Sequence, residues 1–340
     1  MIVKRHGPRG AWFASALLVV GLASAACDKA PAPYKASRLL MGTLVEIAVV
    51  ADSDKARAAA ENAFDEIKRV ERLTSFHQPS ALTSLNEQAG HGPVRTDPEL
   101  VALLEAGLRI AAETGGAFDP TIGPLTRLWG FSGATEPRLP TQAEIDSALS
   151  KLGWRRVRVD TAASTVHLPE RGMALDLGGI AKGYALNRAA AALKRLGIRA
   201  ALLNAGGDII AIGEKSPERP WRIGVQDPRD PRGILAVVEL KDKAIVTSGD
   251  YERVFFLNDE RYHHILDPGT GYPARGMQSV TIVFSDAVIV DGLSVAAFVA
   301  GPKKGMEIIE AVSGAAGLLV DAAGELSVSP GAAKLFELKR

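Results

Sequence analysis

Asp176-Leu177-Gly178-Gly179-Ile180-Ala181-Lys182-Gly183 sets a carboxylate, paired glycines and a lysine at the opening of a helix-periodic run. Ile180, Ala181, Ala185, Leu186, Ala189, Leu193 and Leu196 recur at helical spacing, so the glycines stand where that helix begins. A helix N-terminus offers unpaired N–H groups and a partial positive charge, and glycine lets a phosphate approach the backbone. Lys182, one turn in, can reach the same anion. The stretch also reads as a tight strand-to-helix turn capped by Asp176, so by itself it leaves anion binding and plain capping both open.

A second chemical signal is Asp291. Val288 to Gly301 is almost wholly apolar yet carries this carboxylate, with Ser294 one turn later. A charge on a buried helix is costly unless it is paired or binds a metal. Asp at i and Ser at i+3 share a helix face, and their oxygens suit hard Mg²⁺ rather than zinc. The alternative is a carboxylate that answers the dipole at a helix N-terminus. His263-His264-Ile265-Leu266-Asp267-Pro268-Gly269-Thr270-Gly271 is a strand end entering a turn, and neighbouring strand residues point to opposite faces. A histidine titrates near neutral pH and serves as a general base, although a lone strand histidine is usually structural. There is no HExxH, CxxC or GxSxG, which leaves zinc and serine hydrolase chemistry unsupported, and no GxGxxG opening a βαβ unit.

These stretches occur in order with Met41-Gly42-Thr43, Phe118-Asp119-Pro120-Thr121-Ile122-Gly123-Pro124, Asn204-Ala205-Gly206-Gly207-Asp208-Ile209 and Ser248-Gly249-Asp250-Tyr251-Glu252-Arg253. Together they resemble the FAD:protein FMN transferases, the ApbE family, from about residue 36 to the C-terminus. The resemblance implies a T-fold-like architecture. It also implies Mg²⁺-dependent transfer of FMN from FAD to a Thr or Ser hydroxyl of an acceptor flavoprotein, with release of AMP. The acceptors it implies are subunits of membrane redox complexes.

Matched residue by residue, the FAD contacts implied are Met41, Phe76, Ala117, Phe118, Asp119, Asp176, Lys182 and Ile265. Phe76 stands where the family frequently has Tyr, keeping a stacking face without the hydroxyl. Read without the family, Met41 and Phe76 are core residues. Asp119 and Asp176 suit hydrogen bonds to the adenosine half, and Lys182 suits the pyrophosphate. The implied metal ligands are the Asp291 carboxylate, the Gly179 carbonyl and an oxygen one turn beyond Asp291. Many relatives carry Thr there, whereas this chain has Val295, which leaves Ser294 or a water. Its place in the motif, directly before Ile265, makes His264 the implied general base and His263 a bystander whose removal is expected to be nearly silent. Two rival readings share these residues: an FAD pyrophosphatase that gives the phosphate to water, and a periplasmic lipoprotein that binds FAD without turnover.

The elements that must position these groups follow from pattern. Leu39 to Val50 suits a strand and Asp54 to Thr74 an amphipathic helix. Helices are predicted from Asp97 to Thr114, ending at Gly115-Gly116, and from Gln142 to Leu152, opened by Thr141. Further on, helices are predicted over 179–196, 287–300 and 302–312. They interrupt strands over 155–160, 164–168, 199–204, 207–213, 221–226, 234–240, 243–247, 252–257, 261–266 and 277–284. Helices first and closely spaced strands later predict an α+β fold, antiparallel sheets flanked by helices rather than a doubly wound sheet.

The 340 residues are 47% hydrophobic and 23% charged, ordinary for a globular chain with an ample core. A net charge of +1 argues against electrostatic binding to nucleic acid. The N-terminus differs. Lys4, Arg5 and Arg9 precede the apolar run from Ala11 to Ala23, then Ser24-Ala25-Ala26 lead to Cys27, the only cysteine. This predicts an export signal over 1–26 with Cys27 as a lipid-anchored residue, a Pro-containing tether over 27–35 and a transferase domain over 36–340. A plain signal peptide with a leftover cysteine is the alternative, since Ser24 stands where Leu is usual. Asp28 resembles the signal that keeps lipoproteins at the periplasmic face of the inner membrane. Ser132-Gly133-Ala134-Thr135 resembles the core of an acceptor motif, but the upstream Asp is absent, so it reads as a coincidental loop.

Overall fold

The computed structural model describes residues 32–131 and 138–339. The expected signal segment, Cys27 and the Ser132–Thr135 loop lie outside the described residues. The chain enters as a hairpin, β1 (Tyr34–Leu40) and β2 (Thr43–Val49), closed by Met41 and Gly42. Both turn residues have positive φ, 55° and 70°, as in the tight turns whose twist matches paired strands. Gly42 adopts this without strain, whereas Met41 does so at a cost. The single strand expected from Leu39 is thus corrected to a hairpin. The expected tether is also shorter, because Tyr34 and Lys35 already pair with Val49 and Ala48.

Next come α1 (Ser53–Thr74), α2 (Ala81–Glu87), β3 (Val94–Arg95), α3 (Pro98–Glu113), α4 (Gly123–Trp129), α5 (Gln142–Leu149), β4 (Arg158–Asp160) and β5 (Thr165–His167). α1 buries Ala56, Ala59, Ala60, Ala63, Phe64, Ile67 and Val70 at helical spacing. α3 opens on Asp97, which accepts the Glu99 amide, and stops before Gly115 and Gly116, both at positive φ. A reciprocal cap between Thr141 and Glu144 opens α5.

The second half holds α6 (Gly178–Arg195), β6 (Ala201–Ala205), β7 (Asp208–Ile212), β8 (Trp221–Gln226), β9 (Ile234–Leu240), β10 (Ala244–Gly249), β11 (Val254–Leu257), β12 (Glu260–His263) and β13 (Met277–Phe284). Then follow α7 (Ala287–Glu310), kinked at Gly301 before Pro302, and β14 (Ala316–Asp321), β15 (Leu326–Val328) and β16 (Phe336–Leu338). An eight-stranded sheet runs β1-β2-β6-β7-β10-β13-β14-β15, with every neighbouring pair antiparallel. α1, α6 and α7 cover one face, sharing a core with Val45, Ile47, Leu203, Val246 and Ile282. The small sheet β16-β9-β8 covers the other, packing Trp221, Ile223, Val238 and Phe336 on Leu202, Ile245, Val283 and Leu318.

The α+β, antiparallel expectation agrees with this architecture. α2, α4 and all strands after residue 312 were not predicted. β14 is buried over Gly317–Val320, and a short apolar run covered on both faces carries no periodicity to read. Residues 154–156 form a 3₁₀ turn rather than the strand expected from 155, and the strand begins at Arg158. No helix among the described residues is long and apolar enough to cross a membrane.

Candidate active site

Two helices meet at the glycine-rich start of α6. A Cβ built on Gly183 would stand 2.2 Å from the Ala287 carbonyl oxygen, so only glycine lets α6 and α7 cross this closely. At that crossing the Gly183 amide donates to Asp291 Oδ2 at 3.0 Å. Helical geometry sets the Gly179 carbonyl against the same amide, four residues back. The carboxylate from α7 and the carbonyl from α6 therefore converge, although Asp291 lies far along the chain. Gly183→Ala is expected to destabilise the protein by about 1–3 kcal/mol through overpacking. That exceeds the gain of up to ~1 kcal/mol in helix propensity. Urea titration checks it, and an unchanged midpoint would mean that the crossing relaxes freely.

Lys182 extends from the same turn to the Asp208 carboxylate, to which it is ion-paired. Asp208 is buried at the start of β7, directly after the Gly206-Gly207 corner. Burial alone would lower the Lys182 ammonium, but Asp208, Asp291 and Glu252 outweigh it and hold the lysine protonated. Burial raises Asp291 to about 7, with Lys182 opposing and Asp208 and Glu252 adding to the rise. Burial likewise raises Asp208 against the pull of Lys182. Three carboxylates thus share one lysine, a surplus of negative charge that favours a further cation.

Among the described residues no three His, Cys, Asp or Glu side chains converge as a metal cluster. An ion bound here would take one carboxylate, main-chain oxygen, water and phosphate oxygens. That is the donor set Mg²⁺ accepts, and it fits Asp291 and the Gly179 carbonyl. Ser294 is buried, gives its proton to the Asp291 carbonyl at 2.8 Å and lies 2.8 Å from Ser248 Oγ on β10. Val295 sends a methyl to 3.3 Å from where a Cβ on Gly179 would be, presenting carbon where an oxygen would serve a metal.

The neighbouring histidines divide their work by hydrogen bonding. His263 is buried, with Nε2 2.8 Å from the Ala274 carbonyl and Nδ1 accepting the Ile265 amide at 3.3 Å. His264 has a buried Nδ1 without a partner, while its amide donates to the Arg253 carbonyl at 3.1 Å. The expectation that His264 titrates near neutral pH is corrected. Burial, then Arg253, His263 and Lys182, push it down to about 3, so its ring is neutral at working pH. Burial also lowers His263, to about 4.

His263 has a structural part that its expected silence in transfer does not describe. His263→Ala orphans a buried carbonyl and a buried amide, at about 1–3 kcal/mol each, so a clear loss of stability is expected in urea titration. Both rings charge more readily in the unfolded chain. The stability they contribute is therefore full above about 6.5, the ordinary histidine value, and is lost as pH falls toward their folded values. NMR titration of the ring protons should show both rings neutral from pH 8 to 5. A midpoint near 6.5 for either would refute this burial.

The remaining residues implied for FAD surround the same turn in differing states. Asp176 Oδ1 accepts the Gly178 amide at 2.8 Å and Oδ2 the Thr126 hydroxyl at 2.8 Å, so Asp176 braces the turn just before α6, whose N-cap is Leu177. Asp119 is buried and accepts both the amide and the hydroxyl of Thr121, at 2.8 and 2.6 Å, which shapes its own loop. Burial raises Asp119 above the usual carboxylate range. Phe118 is a buried wedge under Gly179, in the core that half-buried Ala117 borders. Ile265 has its side chain in the main core and its carbonyl bonded to the Ala274 amide at 2.9 Å. Phe76 is half-buried with the Arg127 guanidinium 5.1 Å from its ring centroid. The half-buried Met41 ties its amide to Glu71 at 2.7 Å. Sequence reading gave no role to Asp208, Thr126 or Gly183. The signal for Asp208 was present, a carboxylate placed directly after paired glycines at the start of an apolar strand.

A family model described as ApbE family matches residues 41–319. A protein from Treponema pallidum named FAD:protein FMN transferase is 35% identical over 305 residues, with 84% of each chain covered. One of the same name from Salmonella typhimurium is 30% identical over 315 residues, covering 88% of this chain and 89% of the relative. Among solved structures, the ApbE protein of Thermotoga maritima superposes with a TM-score of 0.84 at 39% identity, covering 90% of this chain and 100% of that one. The flavin transferase ApbE from Vibrio cholerae does so with a TM-score of 0.78 at 27% identity, covering 88% and 98%. The glycine turn, the Lys182–Asp208 pair, Asp291 and the paired histidines all lie within the matched span, and this chain belongs to the ApbE family.

Proposed function

We propose that this protein is an FAD:protein FMN transferase. A Thr or Ser hydroxyl of an acceptor flavoprotein attacks the FMN-side phosphorus of FAD, a new P–O ester forms, the pyrophosphate P–O bond breaks and AMP leaves. The observation that carries this reading is the convergence of Lys182, Asp208 and Asp291, from three separate elements, on the amide turn that opens α6. Such a site supplies positioning and charge, which is most of what phosphoryl transfer asks of a protein.

The residues take separate parts. Lys182 and the positive end of the α6 dipole hold the phosphates. Asp291 and the Gly179 carbonyl would hold Mg²⁺, with water completing the shell beside Val295, and a bound Mg²⁺ would neutralise charge on the pyrophosphate oxygens. His264 receives the hydroxyl proton, and its Nδ1 has no competing partner. Phosphate charge arriving beside it opposes the burial and the cations that keep its basicity low. Met41 and Phe76 contact FAD, with Asp119 and Asp176 supporting the loops around it. The acceptors would be subunits of membrane redox complexes, reached from the periplasmic face of the inner membrane through a lipid on Cys27.

The test mixes protein, FAD and Mg²⁺ with and without an acceptor domain and measures AMP. Release only with acceptor, with flavin bound covalently to it, is the expected result. Release without acceptor would make the protein an FAD pyrophosphatase, and no release with FAD bound would make it a flavin carrier.

A further inference from the structure

The Ser248–Arg253 stretch ends in a cation to which the mechanism above gives no part. Arg229 and Arg261 are committed to Asp250, and Arg275 to Glu260. The exposed guanidinium of Arg253 makes no hydrogen bond or ion pair among the described residues. One of its terminal nitrogens lies 3.6 Å from where a Cβ on Gly42 would be, beside the strained Met41–Gly42 turn. Its carbonyl receives the His264 amide at 3.1 Å, so the same residue borders the general base. Its charge acts on the His264 ring and on the His77 ring, which meets Phe76 edge-on at 5.2 Å. Arg253 therefore stands between the group around Phe76 and the group around Lys182 and His264.

Charge balance says what such a cation can do there. Lys182 is already paired with Asp208 and is also within the field of Asp291 and Glu252. A dinucleotide brings a pyrophosphate with two further negative charges into a site whose own lysine already shares its charge with three carboxylates. A guanidinium presents a planar fork that gives two parallel hydrogen bonds to phosphate oxygens, which an ammonium cannot do. We infer that Arg253 binds the pyrophosphate of the dinucleotide substrate, as a cation with no ion-pair partner among the described residues. This rests on the transferase reading for the identity of the dinucleotide, but only on FAD binding for its test.

The experiment compares wild type with Arg253→Lys and Arg253→Met, measuring FAD affinity by flavin fluorescence and stability by thermal melting. Met keeps the apolar stem and loses the charge, whereas Lys keeps the charge and loses the fork. The expected order of affinity is wild type, then Lys, then Met. Met should weaken FAD binding by roughly 10- to 100-fold, the scale of a hydrogen bond to a charged group. Melting temperatures should be unchanged, since the guanidinium has no hydrogen-bond or ion-pair partner among the described residues to lose. Wild-type affinity in Arg253→Met overturns the proposal, and so does a weakening matched by a lowered melting temperature, which would make lost structure rather than a lost phosphate contact the cause. A wild-type protein that binds FAD but releases no AMP with acceptor sinks the transferase reading and leaves Arg253 standing. One that transfers FMN while Arg253→Met binds FAD normally sinks Arg253 alone.

Discussion

Asp291→Ala is expected to lower AMP release in the presence of FAD, Mg²⁺ and acceptor by at least about 10²–10³-fold, the loss that follows removal of one preorganised electrostatic contact. The carboxylate is the one ionisable group that α7 buries at its crossing with α6, and the Gly183 amide holds it in place at 3.0 Å. Its neighbours on α7 offer no replacement carboxylate, and the nearby Asp208 is engaged. Ser294 is bonded to Ser248 and the Asp291 carbonyl, Val295 presents a methyl, and Asp208 is paired with Lys182. The variant should remain folded. It removes the Asp291 bond from the Gly183 amide, which keeps its helical acceptor, and it also removes a carboxylate that burial disfavours. Asp291→Asn, which keeps the shape and loses the charge, should be nearly as inactive. AMP release close to wild type at ordinary Mg²⁺ concentration, from either variant with an intact melting transition, would refute the role.

His264→Ala is expected to reduce transfer by roughly 10²–10⁴-fold, the range for losing a general base, with FAD affinity little changed. The ring is neutral and its Nδ1 unpartnered, a buried polar atom of the kind that folded proteins rarely leave unsatisfied. The comparison that decides is with His263→Ala. That variant should lose stability first, because both of its ring nitrogens are engaged, and should keep its turnover where it remains folded. Single-turnover transfer rates with FAD saturating, read beside melting curves, separate the two. A His264 variant that loses FAD binding in proportion to rate, or loses stability as His263→Ala does, would show that this ring is structural.

The position of α6, the caps of α3 and α5, the kink before Pro302 and the antiparallel character of the sheet were all legible in the residues. Each depends on spacing, on a cap or on a glycine within a few positions, so the sequence carries it locally. The order of the short motifs was equally readable, and with it the family. What lay opposite each motif was not. Periodicity assigns a residue to a face without saying what packs on that face. Hence the partnership of Lys182 with Asp208, the meeting of Asp291 with the Gly183 amide and the turning of Ser294 toward Ser248 appear only in the folded chain. The same limit explains Phe118 and Ile265, apolar residues implied at a ligand that the fold uses as core. It also explains the histidines, which are alike in sequence. Their proton affinities are sums over burial and charges contributed by distant residues, and only tertiary contact sets those sums.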